Sequence, residues 1–266
     1  MKIFISADIE GVAGIANWEE ARKSSNAYSY FAEQMSREVA AACEGATVAG
    51  ATEILVKDAH GTGRNIDPYK LTENAQIIRG WSGHPYKMLQ GIDETFDGVA
   101  FVGYHSYGGS NANPLAHTIN SSVINYIKLN GEYLSEFLMY SYLAAYLGVP
   151  VVFLSGDKRL CEDAKNLNKN IVTVAVSEGK GASSISIHPN KAVEMIKEGM
   201  KKALKKDLSK NNIKLPEKFS LEIGYNFHGD AYKNSFYPGA AQKGEKSIIF
   251  ETDDYFEIMR ATSFLV

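Results

Sequence analysis

Five short apolar runs rich in β-branched residues punctuate the chain at 2–7, 53–57, 98–104, 150–154 and 171–176, each ending in polar residues or glycine. Helical patterns lie between several of them. Segment 28–49 sets Phe31, Met35, Val39, Ala42 and Ala46 three or four residues apart, with Gly50 as a stop. Segment 134–147 closes on Gly148 and Pro150, as helix C-termini do, and 157–167 is a third helix. Strands alternating with helices in this way predict a three-layer α/β/α fold with a largely parallel sheet. Beyond residue 177 the texture changes. A turn at Gly179 and Gly181 leads to a Lys-rich amphipathic helix over 189–208, which Pro189 opens at the one position where its missing N–H costs nothing. Strands at 218–225 and 246–251 and a helix at 253–263 complete a smaller α+β unit. The expected division is therefore an α/β domain over 1–177 and a second unit over 178–266, with the middle of the chain shared between them.

Composition narrows the class. In 266 residues, 45% are hydrophobic and 22% charged, which suits a folded globular protein and excludes a disordered or disulfide-stapled chain. The net charge of -3, from 28 Lys+Arg against 31 Asp+Glu, provides no field to attract nucleic acid or anionic lipid. No apolar run approaches the ~20 residues of a membrane span. Asp8 and Glu10 fall where a signal peptide would still be apolar, so a cytoplasmic protein is expected. Cys43 and Cys161 stand far apart, outside any Cys-x-x-Cys pair, and read as reduced structural thiols. Gly-x-Gly-x-x-Gly, Walker and Gly-x-Ser-x-Gly motifs are missing, so neither a nucleotide cofactor nor a serine nucleophile is indicated.

The candidate chemistry collects at strand ends, where parallel α/β sheets carry their functional groups. The first strand runs into Asp8-Ile9-Glu10-Gly11, the second into Asp58-Ala59-His60-Gly61, the third into Gly103-Tyr104-His105-Ser106 and the fourth into Ser155-Gly156-Asp157. On an extended backbone Asp8 and Glu10 point the same way, and two bare carboxylates held close call for a cation. Taken singly, each acid or histidine has an ordinary structural reading. Together His60 and His105, facing an acid pair, form a mixed N/O set suited to Zn²⁺, and equally open to Mn²⁺ or Co²⁺. Asp58 is either a further ligand or the partner that orients His60. His117 follows a Gly- and Asn-rich loop read as a mobile carrier of a catalytic side chain. Glu136 opens a helix among apolar neighbours, with Glu132 as the nearby competing acid. His84, His188 and His228 have no matching partners in sequence and are read as structural.

In this order, Asp8-Ile9-Glu10-Gly11, Lys57-Asp58-Ala59-His60, Gly103-Tyr104-His105, His117 and the segment from Gly131 to Glu136 resemble the zinc D-aminopeptidases of peptidase family M55. The likeness extends over most of the chain, through Val149-Pro150-Val151 and Gly156-Asp157 to Pro238-Gly239. It implies two Zn²⁺ per chain, bridged by Asp8 and completed by Glu10, His60, His105 and Glu136. It also implies His117 as the catalytic side chain and a ring-like homo-oligomer, a decamer. The implied activity is release of N-terminal D-residues, above all D-Ala, from short peptides by a two-zinc-activated water. His117 could serve as acid/base, oxyanion stabiliser or nucleophile.

Two other readings compete. Asp58-Ala59-His60 and Gly156-Asp157 echo elements of two-metal phosphoesterases, although the Gly-Asn-His element is missing and Asp8 and Glu10 would have no role. A non-enzymatic, metal-dependent peptide-binding protein would use the same ligands without turnover.

Overall fold

Ile3 and Ile5 leave one face of the first strand and Phe4 the other, and all are fully buried, so apolar layers cover this strand on both sides. The computed structural model describes the whole chain, Met1–Val266. It runs β1 (Lys2–Ala7), α1 (Trp18–Ala21), α2 (Tyr28–Val48), β2 (Glu53–Asp58), β3 (Ala75–Ile78), β4 (Gly98–Tyr104), β5 (Ile124–Leu129) and β6 (Glu132–Tyr133). Then come α3 (Glu136–Tyr146), β7 (Val151–Asp157), α4 (Lys158–Leu167), β8 (Val172–Lys180), β9 (Ser183–Ser186) and α5 (Pro189–Leu204). The chain ends in β10 (Phe219–Tyr225), α6 (His228–Asn234), β11 (Ala240–Gly244), β12 (Ser247–Thr252) and α7 (Tyr255–Leu265).

Seven strands form one sheet in the order β3-β2-β1-β4-β7-β8-β9, parallel except for the β9 edge. The expected α/β architecture is the observed one. Helix α2 buries Phe31, Met35, Val39, Ala42 and Ala46 on one face of this sheet, next to α5. The two helices approach so closely that a Cβ on Gly45 would lie 2.3 Å from the Lys197 carbonyl oxygen. Gly50, at φ 103°, ends α2 in the left-handed conformation that glycine adopts without strain.

The second sheet is antiparallel, β11-β12-β10-β5-β6, and it changes the expected division of the chain. Its strands β5 and β6 come from the middle of the sequence, whereas β9 and α5, beyond residue 177, pack with the first sheet. A cut at 177/178 would thus fall inside β8 and leave β10 without β5. One apolar cluster joins Phe4 and Phe101 of the first sheet through Phe137 and Tyr140 of α3 to Ile127 and Ile223 of the second. The two sheets share a core because α3 lies between them, a contact that strand and helix periodicity does not encode.

Register decides where the chemistry sits. Ala7 lies opposite Asp58 on one side and Val102 on the other, so β1 and β2 end level and β4 runs two residues further, to Tyr104. The strand order also reverses at β1/β4, where parallel α/β sheets open a crevice beyond the strand ends.

Candidate metal centre

The loops after β1 and β4 are pressed together across that crevice. Gly11 N–H donates to the Gly103 carbonyl at 2.8 Å, and a Cβ on Gly11 would fall 1.9 Å from the Tyr104 carbonyl oxygen. Gly103, at φ 72°, would drive a Cβ to 2.3 Å from the Asp8 carbonyl oxygen. Only backbone this close sets the Asp8 carboxylate beside the His105 ring.

Two donor groups result: Asp8, Glu10 and His60, and His105, His117 and Glu136. In the first, His60 Nδ1 lies 3.3 Å from Asp8 Oδ1 and 3.1 Å from Glu10 Oε2. In the second, Glu136 Oε2 is 3.7 Å from His105 Nε2, and Glu136 Oε1 is 3.7 Å from His117 Nε2. Asp8 of the first group also reaches toward the second, its Oδ2 lying 3.5 Å from His105 Nε2. Glu132 is exposed on β6, away from either group, so Glu136 is the acid that α3 delivers.

Each imidazole is held in one tautomer by a carbonyl, which can only accept. His60 donates from Nε2 to Ala21 (2.8 Å), His105 from Nδ1 to Ser106 (3.0 Å) and His117 from Nδ1 to Leu115 (2.9 Å). The opposite nitrogens, His60 Nδ1, His105 Nε2 and His117 Nε2, therefore face the acids and are the atoms left to bind a cation. Such outward N–H···O=C bonds are the usual support of metal-ligating histidines. Glu10 Oε2 and His105 Nε2 are buried without a hydrogen-bond partner. Orphaned, converging N and O donors are what a divalent cation satisfies, so the donor set fits zinc.

Electrostatics point the same way. Burial alone would raise the Asp8 carboxyl, yet the His105 and His60 rings hold it well below its ordinary range. Burial opposes a charge on His105 and is outweighed by Glu136, Asp8 and Glu10, which push it up to about 10; Glu10 and Asp8 likewise carry His60 well above its ordinary value. Glu136 is raised, burial outweighing the pull of the two neighbouring imidazoles. Protons thus offset the acids here, and a bound cation would replace them.

The carboxylates that the phosphoesterase reading requires are engaged elsewhere. Asp58 accepts from the backbone N–H of Asn65 and Ile66 and from Asn65 Nδ2, while Asn65 Nδ2 also donates to the His60 carbonyl. It shapes the loop after His60 without touching the imidazole. Asp157 accepts from Ser106 N–H and Oγ and caps α4 at Leu160. The loop before His117 is firmly tied, contrary to a mobile carrier. Thr118 Oγ1 accepts from Gly108 and donates to the Leu134 carbonyl, Asn113 Nδ2 donates to the Glu10 carbonyl, and Ile119 N–H donates to Glu136 Oε1 at 2.7 Å. Cys43 and Cys161 are free and buried, and burial pushes both thiols up to about 12.

The centre opens into a cavity of about 450 Å³, whose wall includes Trp18, Trp81, His84, Lys87 and Tyr140. Sequence reasoning singled out none of these as functional. His84 has no matching partner in the sequence, and Trp81 is recognisable only through Lys57, whose Nζ lies 4.1 Å over its ring.

Comparison with known proteins follows this geometry. The model of the Peptidase_M55 family, described as D-aminopeptidase, matches residues 1–264. The chain belongs to peptidase family M55. Membership makes it an aminopeptidase, a hydrolase of peptide bonds. A family relative, the D-aminopeptidase of Bacillus subtilis (strain 168), is 28% identical over 263 residues, spanning 98% of this chain and 95% of that protein. The solved structure of the Zn-dependent D-aminopeptidase DppA from Bacillus subtilis, described as a self-compartmentalizing protease, superposes with a TM-score of 0.91. It is 26% identical and covers 100% of this chain and 96% of its own. No helix of the present chain is long and apolar enough to cross a membrane.

Proposed function

We propose that this M55 member is a two-zinc aminopeptidase that releases N-terminal D-residues, D-Ala foremost, from short peptides. The carrying observation is that the two oxygens of Asp8 face different donor groups, as a bridging carboxylate must. Asp8, Glu10 and His60 would hold one ion, and Asp8, His105 and Glu136 the other. Bound there, the ions supply Lewis-acid polarisation of the scissile carbonyl and a nucleophilic water at neutral pH.

The remaining steps fall to the protein. With Asp8, His105 and Glu136 sufficient for the second position, His117 stays free for proton work. Its Nδ1–H is fixed on Leu115, its ring stacks on His105 with centroids 4.3 Å apart, and the Trp18 ring meets it nearly edge-on at 5.1 Å. The orientation leaves Nε2 as the atom that takes a proton from the attacking water and passes it to the departing amine. Trp18 and Trp81 wall the cavity and exclude water from the reacting groups. A ring-like homo-oligomer, a decamer, belongs to the same reading. It is supported by the self-compartmentalizing relative and by the exposure of Phe227, Tyr232, Phe236 and Phe264 at 59%, 61%, 71% and 70%.

Elemental analysis of the purified protein, combined with amino-acid release from D-Ala-Gly-Gly and L-Ala-Gly-Gly, tests the proposal. The expected result is two zinc ions per chain and chelator-sensitive release of D-alanine, with little from the L-peptide. Release that survives chelation, or a preference for phosphate esters, would overturn it.

A further inference from the structure

Among the residues lining the cavity, the only lysine or arginine is Lys87. It is half-buried and its Nζ donates to the Thr262 carbonyl at 3.2 Å, with no carboxylate bonded to it. Burial pushes its ammonium down to about 8, while Glu136 across the cavity pulls the other way. Its backbone sits at φ 38°, a left-handed conformation unusual for a residue with a side chain. Neighbours fix it there. Tyr86 N–H donates to His84 Nδ1, and the Met88 carbonyl accepts from Ser6 Oγ. A partly desolvated cation on a strained turn, facing a cavity, lacks the one thing it favours, an anion.

The substrate can bring that anion. A short peptide with free termini is a zwitterion. Its amine belongs at the end of the cavity where Asp8, Glu10 and Glu136 would hold the metal ions, and its carboxylate must be matched once water is stripped from it. At about 450 Å³ the cavity lies towards the low end of small-molecule sites, roughly 300–1,000 Å³, which suits a very short peptide. We propose that Lys87 anchors the free C-terminal carboxylate of a short peptide, so that the enzyme selects substrates with an unblocked C-terminus; this rests on the aminopeptidase reading above.

Steady-state kinetics on D-alanyl-D-alanine and its C-terminal amide, with the wild type and Lys87→Asn, test the assignment. Asn removes the ammonium yet accepts a positive φ. For the wild type, KM should be about tenfold lower for the acid than for the amide, the worth of one charge-assisted hydrogen bond, with kcat nearly equal. Lys87→Asn should raise KM for the acid by a similar factor and leave the amide unchanged, with zinc content intact. A wild type indifferent to the terminal group, or a variant that loses both substrates equally, would overturn the carboxylate anchor and leave the D-aminopeptidase reading standing. If Lys87→Asn fails to fold, the wild-type comparison alone decides. Failure of the wild type to release D-alanine from either peptide would remove both proposals.

Discussion

Asp8, Glu10 and His60 follow directly from the ends of β1 and β2, which lie in register, so one donor group is placed by strand pairing alone. The other draws His105 from β4, His117 from a loop and Glu136 from the first turn of α3. There the loop–helix hydrogen bond from Ile119 N–H to Glu136 Oε1 does what strand register does in the first group. One half is thus set by the parallel sheet and the other depends on packing α3 between the two sheets. Since only Asp8 reaches both, loss of its carboxylate should collapse the distinction, whereas loss of a side chain from one group should not.

Asp8→Asn should have the largest effect. It keeps the shape of the side chain but removes the charge shared by both groups, so we expect zinc to be lost from both positions and turnover to disappear; elemental analysis and D-alanine release check this. Retention of a full metal complement would show that Asp8 does not bridge. His117→Ala comes next. If His117 moves a proton and ligates nothing, kcat should fall by about 10²- to 10⁴-fold with zinc content unchanged. Loss of one zinc per chain instead would make His117 a ligand and the second group a three-residue site of its own.

The same contrast explains what could be read from the sequence. Strand ends carrying Asp8, Glu10, His60 and His105 announce themselves because apolar runs stop at polar residues, and the parallel sheet that gathers them follows from alternation with helices. Helix α2 is legible for the same reason, a sustained period with a glycine stop. The second sheet is legible only in part: β10 and β12 match the strands expected at 218–225 and 246–251, but their partners from the middle of the chain do not show. Strand β5 has the short, half-exposed sequence Ile124–Leu129 and owes its place to pairing with β10, nearly a hundred residues away, while β6 is only the pair Glu132–Tyr133 held on the far edge of β5. The cavity wall was equally hidden. Lys87 matters through its position on a strained turn, and no spacing rule marks that position. Asp58 and Asp157 show the reverse error, acids at expressive places in the sequence that are consumed by backbone N–H groups.

The smallest effect on turnover should come from Glu38, which supports the strand-built half from behind. It is fully buried in α2, where Oε1 accepts from Ala13 N–H at 2.9 Å and from Gln34 Nε2 at 2.8 Å, while Oε2 has no partner. Burial raises its carboxyl from 4.5 to about 7, against the pull of these two donors and of Arg37. Below pH 4.5 the folded and unfolded chains both keep this proton, and Glu38 adds no pH dependence. Between 4.5 and about 7 the unfolded chain ionises first, so stability falls as pH rises and levels off above the folded value. The shift corresponds to about 3 kcal/mol at pH 8. Glu38→Gln retains an oxygen for Ala13 and Gln34 and cannot ionise. It should therefore denature at higher urea than the wild type at pH 8, match it near pH 4, and cleave D-peptides at an almost unchanged rate. A variant less stable than the wild type at pH 8 would mean that the fold favours the ionised carboxylate instead of penalising it, and that the loop following Glu10 is held by a buried carboxylate whose second oxygen has found a partner.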